Sequence, residues 1–246
     1  LGSGSLGTAI TTGTDNVAIG EAALDAVTSG STNTAVGDNA GGATTTGSSN
    51  VAVGANALLV STTGDNNTAI GKDALDTNTT GSGNVAVGLD SLDANTTADD
   101  NTAIGRSSMA ANTTGAANAA LGAYALDANT TASNNTAVGY NSLGANTTGA
   151  SNIAIGKDAL DTNTTGSSNV AIGMDALDAN TTADDNVAVG RSAMAANTSG
   201  TDNVSVGAYS LDANTTGSNN TAIGDNALGA NTTASTNTAI GSSAML

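Results

Sequence analysis

The sequence predicts an all-β fold, a parallel β-roll or β-solenoid of fourteen 17-residue coils, and three observations carry that prediction. Asparagine recurs every 17 residues from Asn16 to Asn237 without a slip. Counting that Asn as offset 0, Gly stands at offset 4 in all fourteen units, from Gly20 to Gly241, and offset 8 is Leu or Met in all but one, Gly41. A unit this short cannot bury a face alone, so it must stack on its neighbours, and a register held without insertion gives one coil per repeat. The expected product is a rod built of a repeat array over residues 16–246, preceded by a degenerate partial coil at 1–15.

Each part of the unit has its own reading. Offsets 0 to 3, such as Asn67-Thr68-Ala69-Ile70, form a short β-branched run, and Gly71 closes it with a turn that needs an unusual backbone angle. Offsets 6 to 9, such as Asp73-Ala74-Leu75-Asp76, alternate polar and apolar and read as a second short strand. Offsets 11 to 16, Asn-Thr-Thr-Gly and two small polar residues, form the return loop. Two strands per coil imply a flattened roll, with one Leu and one Ile or Val per coil stacked on copies of themselves. Leu75, Leu92, Leu126 and Leu160 are expected in a buried column. The Asn residues at offsets 0 and 11 are expected to form two ladders whose amides bond to the coils above and below.

Composition sets further bounds. With 1% aromatic residues and no Phe, Trp, His, Pro or Cys, the chain can fill only a thin core. The strict period and the branched apolar residues at fixed offsets argue against a disordered polar tract. A net charge of -17, from 21 acids and four basic residues, excludes a phosphate-neutralising surface for nucleic acid. It also speaks against anionic membranes, and no apolar run is long enough to span a bilayer. Leu1 and Leu246 both fall inside a repeat, which reads as a window of a longer protein whose export signal and anchor lie outside it. A second period of 85 residues pairs Lys72 with Lys157, Arg106 with Arg191 and Tyr124 with Tyr209, and reads as a duplication of five coils.

Alternation along the first strand puts offsets 1 and 3 on one face and offset 2 on the other. Offset 3 is always Ile, Val or Leu, and offset 2 is Ala in every unit except that of Ser205, so both faces are apolar. Either the Ala column or the Val/Thr/Ile column must therefore lie outside. Sister chains are the natural cover for such a stripe, and three around an axis hide one stripe each.

The segments Asn16-Val17-Ala18-Ile19-Gly20, Asn67-Thr68-Ala69-Ile70-Gly71 and Asn237-Thr238-Ala239-Ile240-Gly241 resemble the core motif of the YadA-like head repeats of trimeric autotransporter adhesins. The longer unit, Asn220-Thr221-Ala222-Ile223-Gly224 followed by Ala227-Leu228 and Asn231-Thr232-Thr233, resembles repeat arrays in bacterial surface and phage tail-fibre proteins. The resemblance implies a left-handed parallel β-roll in a homotrimeric extracellular fibre, on a cell surface or a virion, with a binding or spacer role, no catalysis and no cofactor. A host-surface or matrix receptor is the partner class it implies. The 17-residue unit with its Asn-Thr-Thr loop departs from the shorter adhesin head repeat.

Other motifs have bland and sharp readings. The offset-11 Asn residues begin ten N-x-[ST] sequons, from Asn78 to Asn231, which read as by-products of a structural turn rather than glycan acceptors. Asp99-Asp100-Asn101 and Asp184-Asp185-Asn186, with Asp15 and Asp202 at one of the same offsets, read as solvated loops more readily than as calcium ligands. Adjacent acids point apart and lack His, Trp or an Arg cluster, which leaves no catalytic pair. Thr columns at offsets 12 and 13 could suit ice, although adjacent residues of an extended segment face opposite ways. The free offsets 5, 6, 9, 15 and 16 hold all four basic residues and Tyr124, Tyr140 and Tyr209, so a specific binding surface is expected there. The rival to a trimeric fibre is a monomeric solenoid that binds ice or calcium.

Overall fold

The computed structural model describes residues 4–7 and 12–245. It falls into two compact units, Leu1–Ala123 and Tyr124–Leu246. The first carries β1 (Val17–Ile19), β2 (Thr34–Val36), β3 (Val51–Val53), β4 (Thr68–Ile70), β5 (Val85–Val87), β6 (Thr102–Ile104) and β7 (Ala119–Leu121). The second carries β8 (Thr136–Val138), β9 (Ile153–Ile155), β10 (Val170–Ile172), β11 (Val187–Val189), β12 (Val204–Val206), β13 (Thr221–Ile223) and β14 (Thr238–Ile240). Within each unit every strand pairs in parallel with the next in sequence, and the register is one repeat throughout: Ala69 opposes Ala86, and Ala154 opposes Ala171. This is a parallel β-solenoid with no helix among the described residues.

The strand predicted at offsets 0 to 3 is present in every repeat, over offsets 1 to 3, and the strand predicted at offsets 6 to 9 is not. That second segment is a succession of turns. Its polar and apolar alternation arises from backbone handedness instead of a pleat: Asp73 and Leu75 both have positive φ, 55° and 54°, and the same holds at Asp158 and Leu160. Left-handed residues alternating with right-handed ones reverse the chain within a few residues, so adjacent Ala74 and Leu75 both turn inward and are fully buried. Each coil therefore has one strand, not two.

A left-handed Leu costs on the order of 1 kcal/mol and persists only where its surroundings over-determine it. Burial supplies that here. Leu75 and Leu92 in the first unit and Leu126 and Leu160 in the second all have 0% exposure, as expected. Gly at offset 4 answers a different need. Gly71 has φ 135°, and a Cβ there would fall 2.4 Å from the carbonyl oxygen of Gly88 in the next coil. Stacked coils touch backbone to backbone at this corner, so no side chain fits.

The core corrects one expectation and settles another. Ile and Val do not fill the coil. Offset 2 points inward, with Ala69, Ala137 and Ala154 at 0% exposure, while Ile70 and Ile155 at offset 3 face out at 40% and 38%. A coil of 17 residues has a narrow lumen, and Leu or Met at offset 8 already occupies it; Ala is the size that remains. Where offset 2 is Ser205, its hydroxyl donates to the Ser210 carbonyl at 2.7 Å and so remains satisfied inside.

Asparagine supplies the other half of the interior. Asn67 Nδ2 donates to the Gly81 carbonyl at 2.8 Å, closing its own coil, and Asn67 Oδ1 accepts the Asn84 backbone N–H at 3.0 Å, tying on the next. Asn78 Nδ2 donates to the same Gly81 carbonyl at 2.9 Å, and Asn78 Oδ1 accepts from Asn95 Nδ2 at 2.8 Å. Both predicted ladders exist, and they converge on one carbonyl. The same geometry repeats in the second unit, where Asn152 and Asn163 both donate to Gly166. Each bond contributes about 1 kcal/mol net, and far more would be lost if the buried amides had no partner.

The partial coil expected at residues 1–15 lies outside the described residues at 1–3 and 8–11. Of the described part, the Leu6 backbone N–H donates to the Ala23 carbonyl at 2.9 Å. In later coils the equivalent bond spans 16 residues, as from Leu24 to Ala40, so this contact spans one residue more.

Candidate interaction surface

The inward Ala column commits offsets 1 and 3 to the outer face of every strand. Val17 and Ile19 on β1, Leu121 on β7, Ile153 and Ile155 on β9 and Ile240 on β14 are all exposed large apolar groups. A parallel strand apolar on both sides is ordinarily covered on both sides. In each unit these residues form two adjacent columns, coil upon coil, repeating at the ~4.8 Å spacing of paired strands. Thr alternates with Val and Ile at offset 1, as at Thr34, Thr68, Thr102 and Thr136, so the face stays β-branched but is not uniformly greasy.

Charge borders this face unevenly. All four basic residues, Lys72, Arg106, Lys157 and Arg191, stand at offset 5, two residues beyond a strand end, and all are exposed. Lys72 pairs with Asp73 and Lys157 with Asp158, each cation raised and Asp73 held below its ordinary range chiefly by that contact. Arg191 lies 4.7 Å over the ring of Tyr209, and Tyr124 meets Tyr140 edge to face at 5.9 Å. At the opposite end of the strands stand the acids of offsets 15 and 16. Asp65, Asp99, Asp100, Asp184 and Asp185 are exposed.

These loop acids also have structural work. Asp99 Oδ1 accepts the Ser82 backbone N–H at 2.7 Å, and Asp184 Oδ1 accepts that of Ser167 at 2.7 Å. A Ser hydroxyl does the same elsewhere, as Ser82 does for Asp65 at 3.1 Å. A second acidic column sits at offset 9, where burial pushes the carboxyls of Asp76, Asp93, Asp127, Asp161, Asp178 and Asp212 above their ordinary range, with neighbouring acids adding to the shift at Asp76, Asp93, Asp161 and Asp178. Among the described residues no group of three or more His, Cys, Asp or Glu is arranged to hold a metal ion.

The remaining candidates resolve by burial. The sequon residues Asn78, Asn95, Asn146 and Asn163 have 0% exposure and spend their amides on the ladder, so these four offer no amide for a glycan in the folded coil. The offset-12 Thr hydroxyls donate to the carbonyl of the same position one coil on, as Thr79 does to Thr96 at 2.8 Å. The offset-13 residues, such as Thr80 and Thr97, are exposed, as are Thr181, Thr198 and Thr232 at offset 12. A depression lined by Leu228, Asn231, Asn237 and Met245 is the open top of the last coil and has no convergent catalytic groups. No helix is long and apolar enough to cross a membrane among the described residues.

Sequence reasoning pooled the cations with five free offsets and missed that one offset holds them all. The signal was available, since each basic residue follows the conserved Gly directly. No protein-family model, curated protein or solved structure matches the chain.

Proposed function

We propose that this chain is a non-catalytic segment of an extracellular fibre, on a bacterial surface or a phage tail, in which copies of the array associate through their strand faces. The winding is left-handed and the assembly a homotrimer in this reading, and the segment extends and presents a binding surface to a host-surface or matrix receptor. The observation that carries it is the outward pair of mainly β-branched columns at offsets 1 and 3, whose Ile members, with Leu121, remain exposed in the single chain. Three such faces around an axis exclude water from one another, whereas a single chain leaves all of its face wet. The YadA-like motif in Asn67-Thr68-Ala69-Ile70-Gly71 supports the same conclusion.

Sedimentation equilibrium tests it. The expected mass is three times that of one chain, 23.2 kDa, and independent of dilution into the micromolar range. Replacing Val138 and Ile155 by Glu is expected to release monomers that keep their β circular dichroism, because charge on the outer face burdens the interface and not the coil. A mass of one chain for the unmodified protein would refute the assembly and leave the monomeric ligand-binding solenoid in its place.

A further inference from the structure

We infer that the charged borders of the strand face set the polarity and register of neighbouring copies, with the basic border of one chain lying against the acidic border of the next at the same coil. This rests on the proposed association and adds which residues align it. At β6, Asp99 and Asp100 precede the strand and Arg106 follows it; at β11, Asp184 and Asp185 precede and Arg191 follows; at β4, Asp65 precedes and Lys72 follows. Three of the four cations thus share a coil with acids at the other end of the same strand. The two coils with a pair of acids are the two with Arg. Within one chain the strand and its apolar face lie between these groups.

A cyclic assembly is head to tail around its axis, so the trailing border of each face meets the leading border of the next. In register, Arg106 then faces the partner copy at the level of Asp99 and Asp100. A slip of one coil in one direction sets Arg106 against Ser82 and Gly83; in the other it sets it against Ala116 and Ala117. Lys72, paired with Asp73 of its own chain, meets no acid of the partner copy either way, since the adjacent coils offer Ser48 and Ser49 or Ser82 and Gly83; Arg191 keeps a single acid, Asp202, in one direction and meets Ser167 and Ser168 in the other. An antiparallel neighbour brings the offset-5 border against another offset-5 border, which takes Arg106 and Arg191 away from the acids of their own level. The apolar columns repeat every coil and cannot select a register themselves, so uneven charge must do it, as complementary charges do at other interfaces. Two levels work against the alignment: β1 has Asp15 before the strand and Glu21 after it, and at β4 Lys72 is already paired with Asp73 of its own chain.

The test compares three full-length chains by sedimentation and by energy transfer between labelled copies. Arg106→Asp with Arg191→Asp makes both borders acidic and is expected to weaken association at least tenfold, with the difference shrinking in molar salt. Adding Asp99→Arg, Asp184→Arg, Asp100→Asn and Asp185→Asn inverts the borders and is expected to restore self-association, while mixed populations of inverted and original chains should not exchange. The β circular dichroism of dissociated chains serves as the folding control. If the original chain associates and the acidic variant associates equally well, or if inverted and original chains exchange freely, the border alignment is wrong while the fibre reading stands. If the original chain is itself monomeric, both fall.

Discussion

At the residue scale the interior is decided by an amide and not by a hydrocarbon. Asn152 receives the Asn169 backbone N–H at 2.9 Å, donates to Gly166 at 2.8 Å, and takes its own N–H partner from Asn135 at 2.9 Å, with Asn152 and Asn169 at 0% exposure. Asn152→Ala leaves the Asn169 N–H buried without a partner and is expected to cost roughly 2 to 4 kcal/mol. The reverse experiment is offered by the early coils, where Thr44 and Ser61 stand at offset 11 in place of Asn. Their hydroxyls are fully buried and have no hydrogen-bond partner, being too short to reach the carbonyl that Asn78 reaches from the equivalent place. Ser61→Asn is expected to stabilise by about 1 to 2 kcal/mol, since it satisfies a buried polar group and extends a ladder the neighbouring coil already carries. Urea unfolding of the two variants checks both signs; a destabilised Ser61→Asn would mean that the early coils are narrower than the later ones.

At the element scale each coil is a three-residue strand followed by a turn system, and most of its stability comes from the coil above and below. Leu160→Asp places a charge between Leu143 and Leu177, all three fully buried, and is expected to cost roughly 3 to 5 kcal/mol. Hydrogen exchange should show the loss centred on the two adjacent coils, and uniform loss across the unit would mean that coupling reaches beyond nearest neighbours. The strand, the Leu column and the Asn ladders were all legible in the sequence, because stacking forces the same residue at the same offset and leaves a period. The offset 6 to 9 segment was not legible by alternation, since a left-handed and right-handed backbone alternation has the same period of two as a pleat. The distinguishing signal was chemical: offset 6 is Asn or Asp at Asn39, Asn56, Asp73, Asp90, Asn141, Asp158, Asp175 and Asn226, the residues that best tolerate positive φ. Which way the strand faced was also hidden, because both of its faces are apolar. Volume decided it, with Ala inside and β-branched residues outside.

At the scale of the whole molecule, 21 acids against four basic residues make stability respond to pH in an unusual direction. Burial raises the folded-state values of Asp76, Asp93, Asp127, Asp161, Asp178 and Asp212 above those of the unfolded chain. Between the unfolded and the raised folded values the native state therefore binds more protons than the unfolded state, and stability rises as pH falls. Asp73, held low chiefly by Lys72, acts oppositely, but its contribution is lost only as pH falls below the ordinary carboxylate value of about 4. The melting temperature is thus expected to increase from pH 7 toward pH ~4.5, where many acidic proteins already weaken. Relief of general self-repulsion would push the same way, so the rise alone does not identify the cause. The triple variant Asp127→Asn, Asp161→Asn, Asp178→Asn separates them. If desolvation of the offset-9 column is responsible, removing these carboxyls should raise the melting temperature at pH 7 and abolish about half of the pH response. If net charge alone is responsible, removing three of 21 acids should leave the slope nearly intact, and a melting temperature that falls on acidification would overturn both accounts.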